Sequence, residues 1–231
     1  MELNLQALSF SRQNKLVLDK LNAVIPGAGL TCLIGTNGAG KTTLLRILYG
    51  DLKASSGTFC IDNLDAGGLS QKNLSQYFSV IPQKAPTPPF LTVSEMVALG
   101  RFRPQRALWW RLNANDLNTI NAAMSACQVE PFRARKVAEL SGGEQQRVWL
   151  SFSLASEKQF LLLDETLDGM DVFTKRDFFQ LLKQIGQKGK AVVLATHDLN
   201  LVNEFADRVI ILSDGKVVVE GVPPVDLQRL L

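Results

Sequence analysis

A glycine-rich segment constrains this chain more than any other feature. Residues Gly35–Thr42 (GTNGAGKT) match the pattern GxxxxGK[ST]. The apolar run Leu30–Ile34 predicts a strand before the segment, and Thr42–Tyr49 has helical spacing after it. In such a junction, glycines let backbone N–H groups surround phosphate oxygens, and the helix N-terminus adds a partial positive charge. Lys41 can then reach the β and γ phosphates, and the Thr42 hydroxyl can bind Mg²⁺. A plain glycine turn is the alternative.

Composition and charge narrow the class of protein. The 231 residues include 25 Lys and Arg, 22 Asp and Glu, and one His, and the net charge of +3 does not by itself indicate a nucleic-acid binder. A single His excludes a multi-histidine metal site within the chain. Cys32, Cys60 and Cys127 are widely spaced, which predicts buried thiols in a reducing compartment rather than disulfides. We expect no signal peptide and no membrane span, since every apolar run is far shorter than ~20 residues.

The order of patterns along the chain predicts an α/β fold with a helical insertion. Leu3, Leu5 and Ala7 alternate with polar residues, as do Leu21, Ala23 and Ile25, which indicates half-buried strands. Four prolines between positions 82 and 89 predict a boundary loop. Predicted helices follow at Val93–Leu99, at Asp116–Cys127 with Asn113 or Asn115 as its cap, and at Gly142–Ala155.

The last third of the chain predicts parallel strands. Phe160–Leu163, Val172–Ile185 and Ala191–Ala195 give a strand–helix–strand order, which implies parallel strands covered by helices. Val209–Leu212 and Lys216–Val219 flank the turn Asp214-Gly215 and predict a hairpin.

Two carboxylates end the first of these strands. In parallel α/β sheets ligands bind at the carboxyl ends of strands, so Asp164 and Glu165 should lie beside the phosphate loop. Asp164 could hold Mg²⁺ through water beside Thr42, and Glu165 could orient or deprotonate an attacking water. A solvated strand end is the alternative.

A second glycine motif, LSGGEQQR at 140–147, opens a predicted helix. Ser141 is a good N-cap, and Glu144 three residues later completes a capping box. The same serine, glycines and helix N-terminus would also suit a second anion. Both interpretations can hold together.

LSGGEQQR after the phosphate loop, LLLDE at 161–165 and ATHD at 195–198 together resemble the ATP-binding cassette ATPases of ABC transporters, over essentially the whole chain. The resemblance implies a P-loop NTPase (RecA-like) core at 1–83 and 156–231. It adds an N-terminal antiparallel β subdomain and an inserted helical subdomain at 84–155. In this family two cassettes pair head to tail, and each ATP lies between the phosphate loop of one and the signature motif of the other.

The resemblance also assigns roles to residues. It implies catalytic roles for Glu165, for the switch histidine His197 and for the Q-loop glutamine Gln83, and it implies Mg²⁺ binding by Thr42, Gln83 and Asp164. It further implies a set of residues that contact the nucleotide. These are Gly35, Thr36, Asn37, Gly38, Ala39, Gly40, Lys41, Thr42, Thr43, Arg12, Ser141, Gly142, Gly143, Glu144 and the D-loop aspartate Asp171. Arg12 stands where an aromatic residue commonly stacks on adenine, and a guanidinium plane could stack instead. Phe10 is the alternative.

The finer resemblance is to cassettes of bacterial importers for iron-siderophore, haem or cobalamin. It implies two integral-membrane permease subunits, a periplasmic or lipid-anchored substrate-binding protein, and a peripheral location on the cytoplasmic face of the bacterial inner membrane. One alternative is a soluble ABC-type ATPase in DNA repair, chromosome maintenance or translation. Such proteins usually carry a coiled-coil insertion or a second cassette.

Two local features depart from or add to the family pattern. The segment Thr166–Met170 replaces the usual Pro-Thr-Ser-x-Leu and introduces Asp168, so a cassette with weak hydrolysis and a regulatory or binding role is a further alternative. Four arginines within Arg101–Arg111 interleave with aromatic residues. They predict a permease-facing surface or a solvated loop, with nucleic acid unlikely.

Overall fold

The computed structural model describes residues 1–102 and 112–224, and these form two sheets and a helical region. The strands are β1 (Glu2–Arg12), β2 (Lys15–Pro26), β3 (Gly29–Ile34), β4 (Ser56–Ile61), β5 (Leu64–Asp65), β6 (Phe78–Ile81), β7 (Phe160–Asp164), β8 (Ala191–Thr196), β9 (Arg208–Ser213) and β10 (Lys216–Gly221). The α-helices are α1 (Lys41–Leu48), α2 (Gln71–Leu74), α3 (Val93–Leu99), α4 (Ala114–Ala126), α5 (Gly142–Ala155), α6 (Val172–Gln187) and α7 (Leu199–Phe205), with 3₁₀ turns at Glu130–Phe132 and Val137–Glu139.

The central sheet has the order β10-β9-β3-β8-β7-β6 in the described part of the chain. Strands β9, β3, β8, β7 and β6 are parallel, which confirms the prediction from the strand–helix–strand order, and β10 turns back antiparallel to β9. The apolar runs of β7 and β8 are buried along their whole length because both faces are covered. Ile34 pairs with Thr196 and Ala195 with Asp164, so these strands end together at one edge.

The second sheet, of order β2-β1-β4-β5, is antiparallel and uses the first part of the chain. Leu3 and Leu5 point into the core as the alternation predicts, but the prediction for Ala7 is wrong. Ala7 is exposed and has φ 47°, and a register shift between Leu5 and Leu8 turns Leu8 inward instead. A bulge adds one residue to the strand and moves the alternation to the other face, which polarity alone does not indicate.

Two apolar clusters hold these layers together. One lies between the central sheet, the antiparallel sheet and α1, and includes Leu5, Leu44 and Phe160. The other lies between the central sheet, α6 and the helical region, and includes Met96, Val148 and Phe179. The helical region therefore packs on the same sheet that carries the phosphate loop.

The ends of the helical elements follow the sequence closely. Residues 82–89 form an irregular loop, and α3 and α5 begin and end as the periodicity predicts. Asn113, and not Asn115, caps α4, because its side chain accepts the N–H of Asp116 while Asp116 accepts the N–H of Asn113. No helix within 1–102 and 112–224 is long and apolar enough to span a membrane.

Arg101 corrects the interpretation of the arginine-rich segment as a basic surface. The side chain is buried, and its Nε donates to Asp116 Oδ1 at 3.0 Å while Nη1 donates to the carbonyl of Ala155 at 2.9 Å. A further contact from Nη1 reaches the carboxylate of Glu157. Arg101 thus joins three helices. The other arginines of the segment, Arg103, Arg106 and Arg111, lie outside the described residues.

Candidate nucleotide-binding site

The phosphate loop connects β3 to α1 at the carboxyl edge of the central sheet. Gly40 precedes the helix with φ 105°, and a Cβ there would lie 2.4 Å from Cδ2 of Leu18. Only glycine takes this conformation freely at such close approach to β2. Lys41 is 4% exposed, and its Nζ donates to the carbonyls of Gly35 at 2.7 Å and Thr36 at 3.2 Å. The loop therefore folds around a buried ammonium group.

A cavity of about 220 Å³ opens over this loop. It is lined by Val17, Asn37, Gly38, Gly40, Lys41, Thr42, Thr43 and Glu165. Six of these belong to the phosphate loop and α1, Val17 belongs to β2, and Glu165 directly follows β7. The cavity confirms that the loop and the end of β7 face each other.

Asp164 and Glu165 contact different residues of the phosphate loop. The Thr42 hydroxyl donates to Asp164 Oδ1 at 2.9 Å, and Lys41 Nζ lies 3.1 Å from Glu165 Oε1. Gln83 completes the group, since its Nε2 donates to Glu165 Oε2 at 3.0 Å. Glu165 has φ 45°, so the chain leaves the strand direction at this residue. Five side chains from three distant segments therefore meet at one point.

Burial affects the carboxyl group of Asp164. Its pKa is raised above the ordinary value because the charged form is poorly solvated, although the hydrogen bond from Thr42 opposes this shift. Asp164 is thus a partly desolvated acid beside a hydroxyl group. A cation at this position would relieve the cost of its charge.

The signature motif forms a second and separate cavity. Ser141 caps α5, its N–H and hydroxyl both donate to Glu144 Oε2 at 2.7 and 2.8 Å, and these bonds lower the pKa of Glu144. The capping box predicted from the sequence is therefore present. A cavity of about 510 Å³ adjoins it, lined by Ser141, Gly142, Gly143, Glu144, Gln146, Arg147, Thr166, Asp168, Gly169, Met170, Asp171, Thr174 and Asp177. Among the described residues it shares no lining residue with the phosphate-loop cavity.

Asp171 and His197 lie at the edges of this arrangement. Asp171 caps α6 by accepting the N–H groups of Phe173 and Thr174 at 3.0 Å each. The hydroxyl of Thr174 also donates to its carboxylate, and this bond, together with the backbone bonds, lowers the pKa of Asp171. His197 follows β8 with its side chain 58% exposed, and its Nδ1 is 3.7 Å from Asp168 Oδ1. The atypical segment Thr166–Met170 thus places a carboxylate beside the only histidine in the sequence.

The proline-rich loop is attached to the signature helix. The Trp149 indole N–H donates to the carbonyl of Pro86 at 3.2 Å, and the Thr87 hydroxyl donates to Gln145 Oε1 at 3.1 Å. Gln83, at the start of the same loop, reaches Glu165. The loop therefore connects the carboxylate of Glu165 to α5 through residues 83–87.

The structure does not bring every predicted residue to the phosphate loop. Arg12 is exposed and is not among the described residues that line the phosphate-loop cavity, while Phe10 is partly buried against the apolar core. Val17 also lines the cavity, although it belongs to none of the sequence motifs. No local pattern marks Val17, because its position depends on β2 folding over the phosphate loop.

A phosphate loop at the carboxyl edge of a parallel sheet, facing Asp164 and Glu165, defines a P-loop nucleotide-binding protein with an added antiparallel sheet and helical region. Comparison with known proteins specifies the family. The family model described as ABC transporter matches residues 18–168. The chain belongs to this family and is one of its ATP-binding, ATP-hydrolysing cassettes.

Curated relatives match nearly the full chain. The petrobactin import ATP-binding protein FpuD of Bacillus anthracis is 31% identical over 222 residues, which is 96% of this chain and 81% of the relative. The ferric enterobactin transport ATP-binding protein FepC of Escherichia coli is 34% identical, over 90% of this chain and 76% of the relative. The hemin import ATP-binding protein HmuV of Rhodococcus jostii is 33% identical, over 97% and 76%.

Solved structures confirm the fold. The ADP conformation of MJ1267, an ATP-binding cassette of an ABC transporter, superposes with a TM-score of 0.88 at 23% identity and covers 100% of this chain and 95% of that one. The dimeric structure of MJ0796, a bacterial ABC transporter cassette, gives a TM-score of 0.78 at 27% identity, with 95% and 98% covered. The predicted P-loop core with its antiparallel β subdomain and inserted helices is correct.

Proposed function

We propose that this chain is the ATP-hydrolysing subunit of a bacterial importer, and that the imported substrate is an iron-siderophore or haem. The observation that carries the proposal is the meeting of Lys41, Gln83 and Glu165 beside the Thr42–Asp164 hydrogen bond. The substrate class rests on the relatives, which are named for petrobactin, ferric enterobactin and hemin.

The oxygen donors at the end of β7 fit Mg²⁺. The Thr42 hydroxyl and the Asp164 carboxylate lie 2.9 Å apart, and hard oxygen ligands are those that Mg²⁺ prefers. The Nε2 of Gln83 is engaged by Glu165, which leaves its amide oxygen as a third donor. When bound with ATP, Mg²⁺ would neutralise charge that develops on the phosphates.

The protein's own groups supply the remaining steps. Lys41 Nζ, which now contacts Glu165 and loop carbonyls, is positioned to bind the β and γ phosphates. Glu165 orients the attacking water and accepts its proton at a carboxylate oxygen. His197 donates to a γ-phosphate oxygen or holds the same water.

The active enzyme is a head-to-tail dimer of cassettes. This is supported by the two separate cavities, since the signature motif of each copy lies outside the cavity of its own phosphate loop and can face a nucleotide held by a second copy. Val172 and Phe173, 72% and 82% exposed, adjoin the signature cavity and suit burial against that copy. The cassette MJ0796, similar to this chain, is dimeric.

The remaining partners are a pair of integral-membrane permease subunits and, indirectly, a periplasmic or lipid-anchored substrate-binding protein. The cassette would then work at the cytoplasmic face of the inner membrane. The proline-rich loop supports permease docking, since it is hydrogen-bonded to α5 and is followed directly by Phe90, which is 83% exposed. Movement of a docked permease would shift this loop and, through the hydrogen bond of Gln83, would also shift the carboxylate of Glu165.

Glu165→Gln tests the base role. The variant should bind ATP, hydrolyse it at least about 100-fold more slowly, and accumulate as an ATP-dependent dimer seen by size-exclusion chromatography with light scattering. Lys41→Ala is the matched control for nucleotide dependence and should remain monomeric with ATP because phosphate binding is lost. Unchanged turnover in Glu165→Gln would remove Glu165 from the base role. Normal ATP affinity in Lys41→Ala would contradict the assignment of the phosphate loop.

A further inference from the structure

We propose that Asp168 is a positioning residue for His197, and that its carboxylate holds the switch histidine in place for ATP hydrolysis. This rests on the proposed function, which gives His197 its catalytic role. The observation is the distance of 3.7 Å between Asp168 Oδ1 and His197 Nδ1. Asp168 belongs to the atypical segment Thr166–Met170 and His197 follows β8, and the structure brings the two together.

A backbone turn fixes the position of Asp168. The chain turns at Thr166–Gly169, where the N–H of Asp168 donates to the carbonyl of Glu165 at 3.4 Å. Leu167, 3% exposed, anchors the turn in the core, and Gly169 continues it with φ 82°. The carboxylate is therefore carried by a turn that begins at the proposed base.

The backbone on both sides of His197 is held by hydrogen bonds, whereas its imidazole makes no hydrogen bond to the described residues. Thr196 before it ends β8 in the core and accepts the N–H of Asp198, while the Asp198 carboxylate caps α7 at Leu201. The carboxylate of Glu165 is engaged by Lys41 and Gln83. Of these nearby acids, Asp168 is the one whose oxygen lies within ion-pair distance of the imidazole.

The distance determines how Asp168 acts. At 3.7 Å the two atoms are close neighbours but too far apart for a hydrogen bond. A rotation of either exposed side chain would close the gap. The carboxylate then accepts Nδ1–H, which leaves Nε2 free to face the phosphate, as in other sites where a carboxylate orients a catalytic imidazole.

Asp168 also lines the signature cavity, so its charge could affect hydrolysis in a second way, through the bound nucleotide. A negative charge there would repel the nucleotide held by the second copy, so its removal would lower the KM for ATP. If Asp168 instead positions His197, removing its charge lowers kcat and leaves the KM for ATP unchanged. The two routes therefore differ in which kinetic constant changes.

The single histidine allows a direct test that needs no turnover. In protein with isotope-labelled histidine, NMR should show one set of imidazole signals, and Asp168→Asn should shift them. Asp62→Asn is the matched control, because it removes the same charge in the β4–β5 turn, where its φ of 52° suits asparagine. Imidazole signals unmoved by Asp168→Asn would overturn the inference.

The catalytic test is a double-mutant cycle on the full-length chain. Asp168→Asn should lower kcat about two- to fivefold, the range of an exposed ion pair, with an unchanged KM. In a His197→Gln background the same change should cost nothing further. A loss that persists in that background, a fall in KM, or full activity of His197→Gln would overturn the inference. Absence of ATP hydrolysis in the wild type with a shifted imidazole signal would instead contradict the proposed function.

Discussion

Replacing Arg101 with Gln should strongly destabilise the fold, although its sequence context predicts a solvated or docking surface. The guanidinium lies two residues beyond α3 and donates to Asp116 near the start of α4 and to Ala155 at the end of α5. The side chain of Arg101 is 2% exposed and that of Asp116 is 10% exposed. The substitution would remove the guanidinium from beside this buried carboxylate.

The expected magnitude follows from that burial. Removing one partner of a buried ion pair costs about 3–5 kcal/mol, because the other charge stays desolvated. The contact with Glu157 adds little, since the Glu157 side chain is 54% exposed. Taking about 3 kcal/mol, and about 2–4 °C per kcal/mol for a chain of this size, the unfolding midpoint should fall by about 6–12 °C.

Thermal unfolding followed by circular dichroism at a fixed scan rate measures this shift. Arg133→Gln is the matched control, because Arg133 is an exposed arginine of the same helical region and should change stability by less than about 0.5 kcal/mol. Adding Asp116→Asn to Arg101→Gln should restore part of the loss, since the double variant no longer buries the charge of Asp116. A midpoint for Arg101→Gln within about 2 °C of the wild type would refute the reasoning.

Three further predictions follow from burial and backbone conformation. Asp164→Asn should raise the unfolding midpoint at pH 7 in the absence of nucleotide and metal. Stabilisation from burying the neutral acid is present at low pH and lost as pH rises through the raised folded-state pKa, so the difference between variant and wild type should shrink on acidification. Gly40→Ala should cost about 1–3 kcal/mol and weaken ATP binding, because φ is 105°. A thiol reagent should label Cys60 first, since Cys32 and Cys127 are buried and burial raises the pKa of both thiols, that of Cys127 to about 12.

Each of these has a result that would contradict it. A pH-independent gain in Asp164→Asn would show that the buried charge is not its source. Wild-type stability in Gly40→Ala, measured by the same melting experiment, would remove the conformational argument. Reaction of all three cysteines at one rate in the folded protein, followed by mass spectrometry of labelled peptides, would contradict the burial of Cys32 and Cys127.

Periodic patterns predicted the elements where a single rule governs the chain. The helices at Val93–Leu99 and Gly142–Ala155 begin at side chains that cap them, so local hydrogen bonding fixes their ends. Predictions failed where tertiary packing overrides a local pattern. At Ala7 a bulge shifts the register, and at Arg101 a charged residue is buried because partners from distant helices neutralise it.

The sequence by itself determined the phosphate loop, the capping box at Ser141 and the position of the acids at the end of β7. Glycine geometry, helix capping and the end of an apolar run are all local properties of the chain. The tertiary structure decided which of these side chains contact one another. It joined Thr42 to Asp164 and Lys41 to Glu165, and it paired Asp168 with His197. Such pairs come from separate segments brought to one edge of a parallel sheet, and no spacing along the chain records that meeting.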